Sequence, residues 1–324
     1  MTTYAAAILE AHTYLLDNHA DVFVIGQGLW SPWYVGATMD GLDTKYGQDR
    51  IIDTPVSEQA TTGAAVGAAL MGGRPIVVHP RVDFAVLAMD QMVNQAAKWS
   101  GMFGDGHGVP ALFRTIINRG GSQGAQHSQS LHSWFAHIPG LRVIMPATAA
   151  DARDLLIAGV LSNDPVVYLD DRWCYEAEEE LPPVTELDLA SIKPAALRDG
   201  EDITIVANGF STQLALQAAK LADEEGISAS VIDLRVINPI DFTPVIDDVR
   251  RTGRLLAVDG GWASCGMAGE VLASVVEELQ PKELMASPTR RTLPFASAPS
   301  GQSLEADYYP SAEMVLSDIR RVVS

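Results

Sequence analysis

Short apolar runs alternate with longer segments of helical periodicity along the first half of the chain. The apolar runs predict strands at residues 21–26, 75–79, 111–117, 142–145 and 165–169, and the periodic segments predict helices at 5–19, 59–71, 85–99 and 149–161. Because these runs lack alternating polar positions, they are typical of strands buried on both faces of a parallel sheet. The alternation of strands with helices therefore predicts an α/β fold.

The composition changes between residues 170 and 194, where the chain is acidic and carries prolines. The alternation then restarts, with strands predicted at 202–207, 228–234 and 254–258 and helices at 212–225, 241–251, 266–279 and 310–323. An acidic, proline-bearing segment between two such regions is typical of an interdomain connection. We therefore predict a first domain at 1–180, a linker at 181–194 and a second domain at 195–324.

The chain is strongly acidic, with 22 Lys and Arg against 41 Asp and Glu and a formal net charge of −19. Nucleic acids and anionic membranes bind basic surfaces, so we expect neither as a main partner. The two cysteines, Cys174 and Cys265, exclude a disulfide framework and a Cys-based zinc site. We find no secretory signal pattern and no run of ~20 apolar residues, so we expect a cytoplasmic protein.

Two glycine-rich segments resemble parts of catalytic motifs. Residues 120–124 fit the G-x-S-x-G pattern of a serine hydrolase, but Asn118 and Arg119 separate them from the preceding strand. Residues 104–106 read Gly-Asp-Gly, the start of a motif that binds magnesium and diphosphate only with an asparagine downstream, and no suitable asparagine follows. We therefore predict a flexible loop at the first segment and a turn at the second.

Three histidines, His127, His132 and His137, cluster closely enough to suggest a metal site. Their five-residue spacing is wrong for ligands on one helix face, and no carboxylate or cysteine falls among them. The sequence therefore predicts no metal site on this chain.

Two polar segments are harder to explain as structure alone. In residues 53–59, Ser57 is a good N-cap and Glu58 falls in the first helical turn, where the helix dipole favours a carboxylate. Residues 126–130 follow the strand that ends at 117, and ligands of α/β folds bind at the carboxyl ends of parallel strands. A capped helix start and a polar surface loop are the alternatives for these two segments.

These segments resemble the beta subunit of the thiamine-diphosphate-dependent first component of 2-oxo acid dehydrogenase complexes (pyruvate, branched-chain or acetoin type). The resemblance is carried by DTPVSEQ at 53–59, DFAVLAMDQMVNQAAKW at 83–99 and GAQHSQSLHSWFAHIPGLRVIMPATAADARDLL at 124–156. It continues with VIDLRVINPID at 231–241 and GRLLAVDGGW at 253–262. It implies a parallel-sheet, transketolase-like pyrimidine-binding domain followed by a transketolase C-terminal α/β domain.

The resemblance also implies roles for three residues. Glu58 would hydrogen-bond the aminopyrimidine ring of thiamine diphosphate and favour the imino tautomer that activates the thiazolium carbon. Phe84 matches the aromatic residue that packs on the pyrimidine ring. His127 matches the histidine that faces the reacting carbon and manages protons during acyl transfer.

A beta subunit of this family contributes only half of an active site. The resemblance implies an alpha subunit that holds the diphosphate and Mg²⁺, an alpha2beta2 heterotetramer, and self-association through the C-terminal domain. A lipoyl acyltransferase is a further implied partner. In some relatives, backbone carbonyls near the positions of Ala111, Gly159 and Val160 bind a potassium ion.

The chain also departs from the family pattern. Gln27 stands where many relatives carry an acidic residue, Arg81 lies in a stretch that is more neutral in classical members, and residues 132–133 and 170–173 also differ. Arg81 and Gln27 are therefore candidate substrate-binding residues, although a structural ion pair explains Arg81 equally well. These departures suggest a divergent branch.

Two activities fit this set of residues. The leading hypothesis is decarboxylation of a 2-oxo acid with acyl transfer to lipoamide, together with an alpha subunit. The alternative is a split transketolase or an acyloin-forming ligase that moves a two-carbon unit onto a sugar or aldehyde. Glu58 and His127 disfavour a third reading, a non-catalytic structural partner.

Overall fold

Parallel strands dominate the computed structural model, which describes residues 1–31, 33–104, 106 and 108–324. The chain divides into two units. The first comprises Met1–Asn118 and Trp134–Ile192, and the second comprises Arg119–Ser133 and Lys193–Ser324. The segment Arg119–Ser133 therefore belongs to the second unit, although its neighbours in sequence belong to the first.

The strands as far as residue 179 are β1 (Thr2–Thr3), β2 (Val22–Gly26), β3 (Ile51–Asp53), β4 (Arg74–His79), β5 (Leu112–Ile117), β6 (Arg142–Ile144), β7 (Val166–Asp171) and β8 (Glu178–Glu179). The helices are α1 (Tyr4–Asn18), α2 (Leu42–Tyr46), α3 (Glu58–Leu70), α4 (Val82–Ala85), α5 (Trp99–Phe103), α6 (His132–Ala136) and α7 (Ala149–Leu161). Six strands form a parallel sheet in the order β3, β2, β4, β5, β7, β6, which confirms the predicted α/β architecture.

The helix predicted over residues 85–99 is not continuous, and this expectation was wrong. After α4 the chain forms a 3₁₀ turn, a π turn over Asp90–Gln95 and a second 3₁₀ turn before α5 begins. Buried Ala88, Met92 and Ala96 keep a helical spacing through this stretch. Because the apolar pattern survives a change in hydrogen bonding, it could not reveal the π turn.

A buried ion pair joins two adjacent strands in the middle of the first sheet. Arg114 of β5 donates to both carboxylate oxygens of Asp170 on β7, at 3.0 and 2.7 Å, and neither side chain is exposed. Burial opposes the charged guanidinium, but the Asp170 carboxylate outweighs it and holds the pKa of Arg114 above its ordinary value. Tyr175 and Thr38 complete the network through their hydroxyl groups.

The second unit holds β9 (Ala195–Arg198), β10 (Ile203–Ala207), β11 (Ala229–Asp233), β12 (Val236–Asn238), β13 (Leu255–Trp262) and β14 (Thr289–Leu293). Its helices are α8 (Phe210–Asp223), α9 (Thr243–Thr252), α10 (Met267–Glu278), α11 (Gln302–Tyr308) and α12 (Ala312–Val323). The sheet order is β14, β13, β10, β11, β9, and β9 alone of these five runs antiparallel to its neighbour. Sequence reasoning missed β9, which is only four residues long, and β14, in which four of five residues are polar or charged.

The turn predicted at residues 104–106 depends on Asp105, which lies outside the described residues. Among the residues that the structure describes, no helix is both long and apolar enough to cross a lipid bilayer.

Candidate functional site

Three adjacent strands, β3, β2 and β4, end together at the carboxyl edge of the first sheet. Gly26, the last residue of β2, pairs with Asp53 of β3 and with Val78 of β4. The connections that leave this edge carry Gln27 after β2 and Arg81 after β4. The predicted residues of the first unit therefore gather at the edge where α/β folds bind ligands.

Glu58 is the first residue of α3, on the connection that follows β3. Ser57 occupies the N-cap position, but its side chain makes no capping hydrogen bond. Glu58 is only 8% exposed, and its carboxyl group makes no hydrogen bond or ion pair with any described residue. Its oxygens are not among the fully buried side-chain atoms that lack a partner, so the carboxyl group keeps some access to solvent and can accept a donor from a ligand.

Glu58 lines a small open cleft at this edge of the sheet, which encloses about 190 Å³ together with the adjoining open solvent. Its lining residues come from the ends of β2 and β4 and from the start of α3: Gly26, Gln27, Thr54, Pro55, Ser57, Glu58, Thr61, Val78 and His79. The structure therefore brings two of the predicted residues, Gln27 and Glu58, into one cleft.

The cleft wall includes a buried histidine that sequence reasoning did not select. His79 ends β4, is 2% exposed, and its Nε2 lies 3.2 Å from the hydroxyl oxygen of Thr62 on α3. Burial disfavours the imidazolium and lowers the pKa of His79 to about 4. At neutral pH this side of the cleft therefore carries no positive charge.

Backbone hydrogen bonds fix the connections that form the cleft. Asp53 accepts from the amide of Gly28 at 2.7 Å, and the amide of Thr54 donates to the carbonyl of Gly26 at 2.9 Å. Gly28 has φ of 72°, and a Cβ there would lie 2.0 Å from the ring of Tyr34. Glycine is thus required at this turn, both for its backbone conformation and for the close approach of Tyr34.

Phe84 and Arg81 follow the same strand edge but do not line the described cleft. Arg81 occupies the N-cap position of α4 and Phe84 is the third residue of that short helix. Both side chains are half-buried.

Sequence reasoning missed Tyr34 and singled out Arg172 only as part of a departure from the family pattern. The hydroxyl of Tyr34 accepts a hydrogen bond from Gln27 Nε2 at 3.2 Å, and its backbone carbonyl accepts one from Arg172 Nη2 at 2.6 Å. The usable signal was the DDRW sequence at residues 170–173, where a base follows a buried strand.

His127 lies on the segment Arg119–Ser133, which the second unit holds. Two side chains of this unit anchor the segment: Arg119 Nη1 donates to the carbonyl of Gly260, and the Glu305 carboxylate accepts from the amide of Ser122 at 2.9 and 3.1 Å. His127 itself is half-buried.

A fully buried histidine near the end of this segment also ties it to the second unit. His132 Nδ1 lies 2.9 Å from the hydroxyl oxygen of Ser130, and its Nε2 lies 2.8 Å from Asp259 Oδ1. Burial would raise the pKa of Asp259, but His132 and the amides of Gly261 and Ala268 together hold it below its ordinary value. Asp259 is therefore ionised at neutral pH.

The structure gives no support to the hydrolase motif. Ser122 has a left-handed φ of 62° and its amide donates to Glu305, but β5 ends at Ile117 and the next helix begins only at His132. A nucleophile elbow requires the strand and the helix to flank the serine directly. Among the described residues, no group of three or more His, Cys, Asp or Glu side chains is arranged to hold a metal ion.

Both units match known protein families. Residues 1–175 match the transketolase pyrimidine binding domain, and residues 193–315 match the transketolase C-terminal domain.

Curated relatives match over most of the chain. The chain is 38% identical over 293 residues to the beta subunit of acetoin:2,6-dichlorophenolindophenol oxidoreductase of Cupriavidus necator, covering 87% of this chain and 83% of that subunit. It is 37% identical over 278 residues to the pyruvate dehydrogenase E1 component subunit beta of Rhizobium meliloti, covering 85% of this chain and 60% of that subunit.

A solved structure shares the fold over the full length. The structure described as a split gene transketolase, inactive beta4 tetramer, superposes with a TM-score of 0.80 and covers 99% of this chain and 98% of that chain. At 21% identity, this likeness concerns the fold alone.

Proposed function

Because the chain belongs to the family of E1 beta subunits of pyruvate and acetoin dehydrogenases, we propose that it is the beta subunit of a thiamine-diphosphate-dependent 2-oxo acid dehydrogenase. The reaction would be decarboxylation of a 2-oxo acid with acyl transfer to lipoamide. The observation that carries the proposal is Glu58, a nearly buried carboxyl group without a partner among the described residues.

The residues of the cleft fit the pyrimidine end of thiamine diphosphate. The aminopyrimidine ring offers hydrogen-bonding nitrogens, and Glu58 offers an unpaired carboxyl group at the base of the cleft. Gly26 leaves room because it has no side chain, and Val78 adds apolar surface for a ring. His79 is uncharged at neutral pH and therefore does not form an ion pair with Glu58. These residues, with Phe84 on the neighbouring connection, would hold the pyrimidine.

Thiamine diphosphate, when bound, supplies the electron sink that a 2-oxo acid needs to lose carbon dioxide. Glu58 would hydrogen-bond the aminopyrimidine nitrogen, and the first turn of α3 fixes the backbone position from which its carboxyl group reaches the cleft. His127 would donate and accept protons at the reacting carbon, as the family resemblance implies. The hydrogen bonds from Arg119 and to Glu305 hold the segment that carries His127 in place.

The chain would act only with an alpha subunit that binds the diphosphate and Mg²⁺, in an alpha2beta2 heterotetramer with beta–beta contact through the C-terminal domain. The support for this assembly is the family membership. We further propose a lipoyl acyltransferase as the acceptor of the acyl group.

A potassium ion near Ala111, Gly159 and Val160 stays a prediction. The carbonyl of Val160 accepts from Arg74 Nη1 at 2.9 Å, and the carbonyl of Ala111 accepts from the amide of Val166 at 3.0 Å. An ion there would have to share Val160 with a guanidinium.

Exchange of the proton at the thiazolium carbon, measured in the complex reconstituted with the alpha subunit, tests the role of Glu58. We expect Glu58→Gln to slow this exchange by about a hundredfold to ten-thousandfold, the range typical of positioned acid–base groups. Glu313→Gln is a matched control, because Glu313 also lies in the first turn of a helix but is exposed. A near-normal exchange rate in Glu58→Gln would refute the assignment.

The second candidate function is a split transketolase or an acyloin-forming ligase. It is favoured by the basic side chain of Arg81 and the amide side chain of Gln27, which both follow strands at this edge of the sheet. The same reconstituted complex separates the two activities. A dehydrogenase reduces an artificial dye in the presence of a 2-oxo acid, whereas a two-carbon transferase forms a ketose or acyloin from an added aldehyde.

A further inference from the structure

The side chain of Arg81 makes no hydrogen bond or ion pair with any residue that the structure describes. It is half-buried just after the carboxyl end of β4. In the first unit Arg114, Arg142 and Arg153 are paired with acids, whereas Arg50 and Arg172 donate to backbone carbonyls. Acidic residues outnumber basic ones 41 to 22, so an unpaired guanidinium here is unexpected.

A second guanidinium acts on Arg81 from the end of β7. Partial burial and the charge of Arg172 together lower the pKa of Arg81, and the opposing attraction of Asp83 is the weakest of the influences on it. Arg172 is held by the carbonyl of Tyr34, and its buried Nε has no hydrogen-bond partner among the described residues. The fold therefore places two like charges near enough to act on each other, and at least one buried donor, Nε of Arg172, is without a partner among the described residues.

The same tyrosine joins this pair to the cleft. The hydroxyl of Tyr34 accepts a hydrogen bond from Gln27, and Gln27 lines the cleft together with Glu58. The two arginines therefore lie beside the cleft rather than on a remote surface of the first unit.

We propose that Arg81 and Arg172 bind a second anionic group of the substrate, a phosphate or carboxylate distant from the reacting carbonyl. This inference rests on the proposed function, because it concerns the substrate of the Glu58 cleft. Guanidinium groups bind carboxylates and phosphates through pairs of parallel N–H donors, and an anion would relieve the repulsion between the two cations. The substrate is then a 2-oxo diacid or a phosphorylated compound, and an unsubstituted 2-oxo acid such as pyruvate is a poor one.

Matched substrate pairs test the inference in the complex reconstituted with the alpha subunit. One pair is 2-oxopentanoate and 2-oxoglutarate, which differ in a terminal carboxylate. The other is glyceraldehyde and glyceraldehyde 3-phosphate, offered as acceptors of a two-carbon unit. We expect the wild-type complex to prefer the anionic member of one pair, and that pair identifies the group as carboxylate or phosphate.

Arg81→Gln and Arg172→Gln should each lower kcat/KM for the anionic member by about ten- to a hundredfold, the loss typical of a hydrogen bond to a charged group. The neutral member should change by less than about twofold, since its binding does not use the guanidinium. Arg142→Gln is the control, because Arg142 pairs with Asp164, which is half exposed.

Three results would overturn the inference. The first is equal kcat/KM of the wild-type complex for both members of each substrate pair. The second is an equal loss of kcat/KM for the anionic and the neutral member in the arginine variants. The third is a failure of Arg81→Gln to assemble with the alpha subunit, which would assign the arginines to subunit contact. Thiazolium proton exchange without substrate separates this inference from the proposed function. Normal exchange with no anion preference refutes the inference alone, whereas no exchange in the wild type refutes both.

Discussion

Replacing Asp259 with Asn tests how the second unit holds the segment that carries His127. Asp259 is 1% exposed and its Oδ1 lies 2.8 Å from Nε2 of His132, which has no exposed surface. A hydrogen bond to a charged group contributes about 1.5–3 kcal/mol, and a buried donor left without an acceptor costs about 1–3 kcal/mol. Asn has one oxygen, whereas the amide of Gly261 donates to Oδ1 and that of Ala268 to Oδ2, so one of these amides loses its acceptor when the charge beside His132 is removed. We therefore expect the free energy of unfolding of the second unit to fall by about 3–5 kcal/mol.

Native-state amide hydrogen exchange measures this change separately for the second unit. The informative amides are those of β10 and β11, which are buried and whose slowest exchange reports unfolding of the unit. Asp223→Asn is the control, since Asp223 forms an ion pair with Arg198 but is 46% exposed, and an exposed pair contributes about 0–1 kcal/mol. Equal effects of Asp259→Asn and Asp223→Asn would refute the reasoning that the buried contacts of the Asp259 carboxylate stabilise the second unit.

The same substitution has a consequence for activity. The segment Arg119–Ser133 is fixed to the second unit at one end by Arg119 and near the other by His132. Loss of the His132 contact should therefore lower kcat in the reconstituted complex while leaving the thiazolium exchange that depends on Glu58 close to normal. A parallel loss of both rates would show that the substitution unfolds the subunit rather than displacing His127.

Three further predictions concern the first unit. Asp170→Asn should lower its free energy of unfolding by about 3–5 kcal/mol, because Arg114 would stay buried without a counter-charge, and urea titration measures this. Burial lowers the pKa of His12 to about 3 and of His79 to about 4. As the pH falls below about 6.5, these two histidines are protonated in the unfolded chain but not in the folded chain, which favours unfolding. Urea titrations should show a loss of about 2 kcal/mol per histidine from pH 7 to pH 5. Gly26→Ala should lower stability by about 1–3 kcal/mol and weaken cofactor binding, because its Cβ would lie 2.4 Å from a backbone oxygen of β4.

Each of these predictions has an outcome that contradicts it. Asp170→Asn fails as a test of the buried pair if Asp164→Asn, which breaks the exposed pair with Arg142, costs as much. The histidine prediction is wrong if the loss of stability below pH 6.5 persists unchanged after His12 and His79 are both replaced. A Gly26→Ala variant with unchanged stability and cofactor affinity would contradict the prediction, because it would show that β4 accommodates the added Cβ without loss of free energy.

The sequence was sufficient for the strands and helices whose periodicity is strong. The apolar runs at β2, β4, β5 and β10 located those strands within one or two residues, because β4, β5 and β10 are buried on both faces and β2 is buried on one face and half-buried on the other. The sequence did not predict the π turn at Asp90–Gln95, because the apolar residues keep a helical spacing there while the backbone hydrogen bonds change. Polar β14 was missed because its pattern does not alternate with apolar positions.

The candidate site was predictable in part. Glu58 could be selected from a helix start after a strand, and Gln27 and Arg81 from their departure from the family pattern. Tyr34 could not be found, because its contacts with Gln27 and Arg172 join the connection that follows β2 to the one that follows β7, which is distant in the chain. Strand order alone brings these connections together at one edge, and periodicity does not determine strand order.

The fold separates the group proposed for cofactor activation from the groups proposed for substrate selection. Glu58 is fixed by the first turn of α3, and that helix packs on the sheet through β4, so its position depends on the core of the unit. Arg81, Arg172 and Tyr34 lie on connections that follow strands, where α/β folds commonly carry binding residues. If Arg81 and Arg172 bind a second anionic group as proposed, substitutions at these connections change the group that is selected, while the cofactor chemistry that depends on Glu58 stays the same.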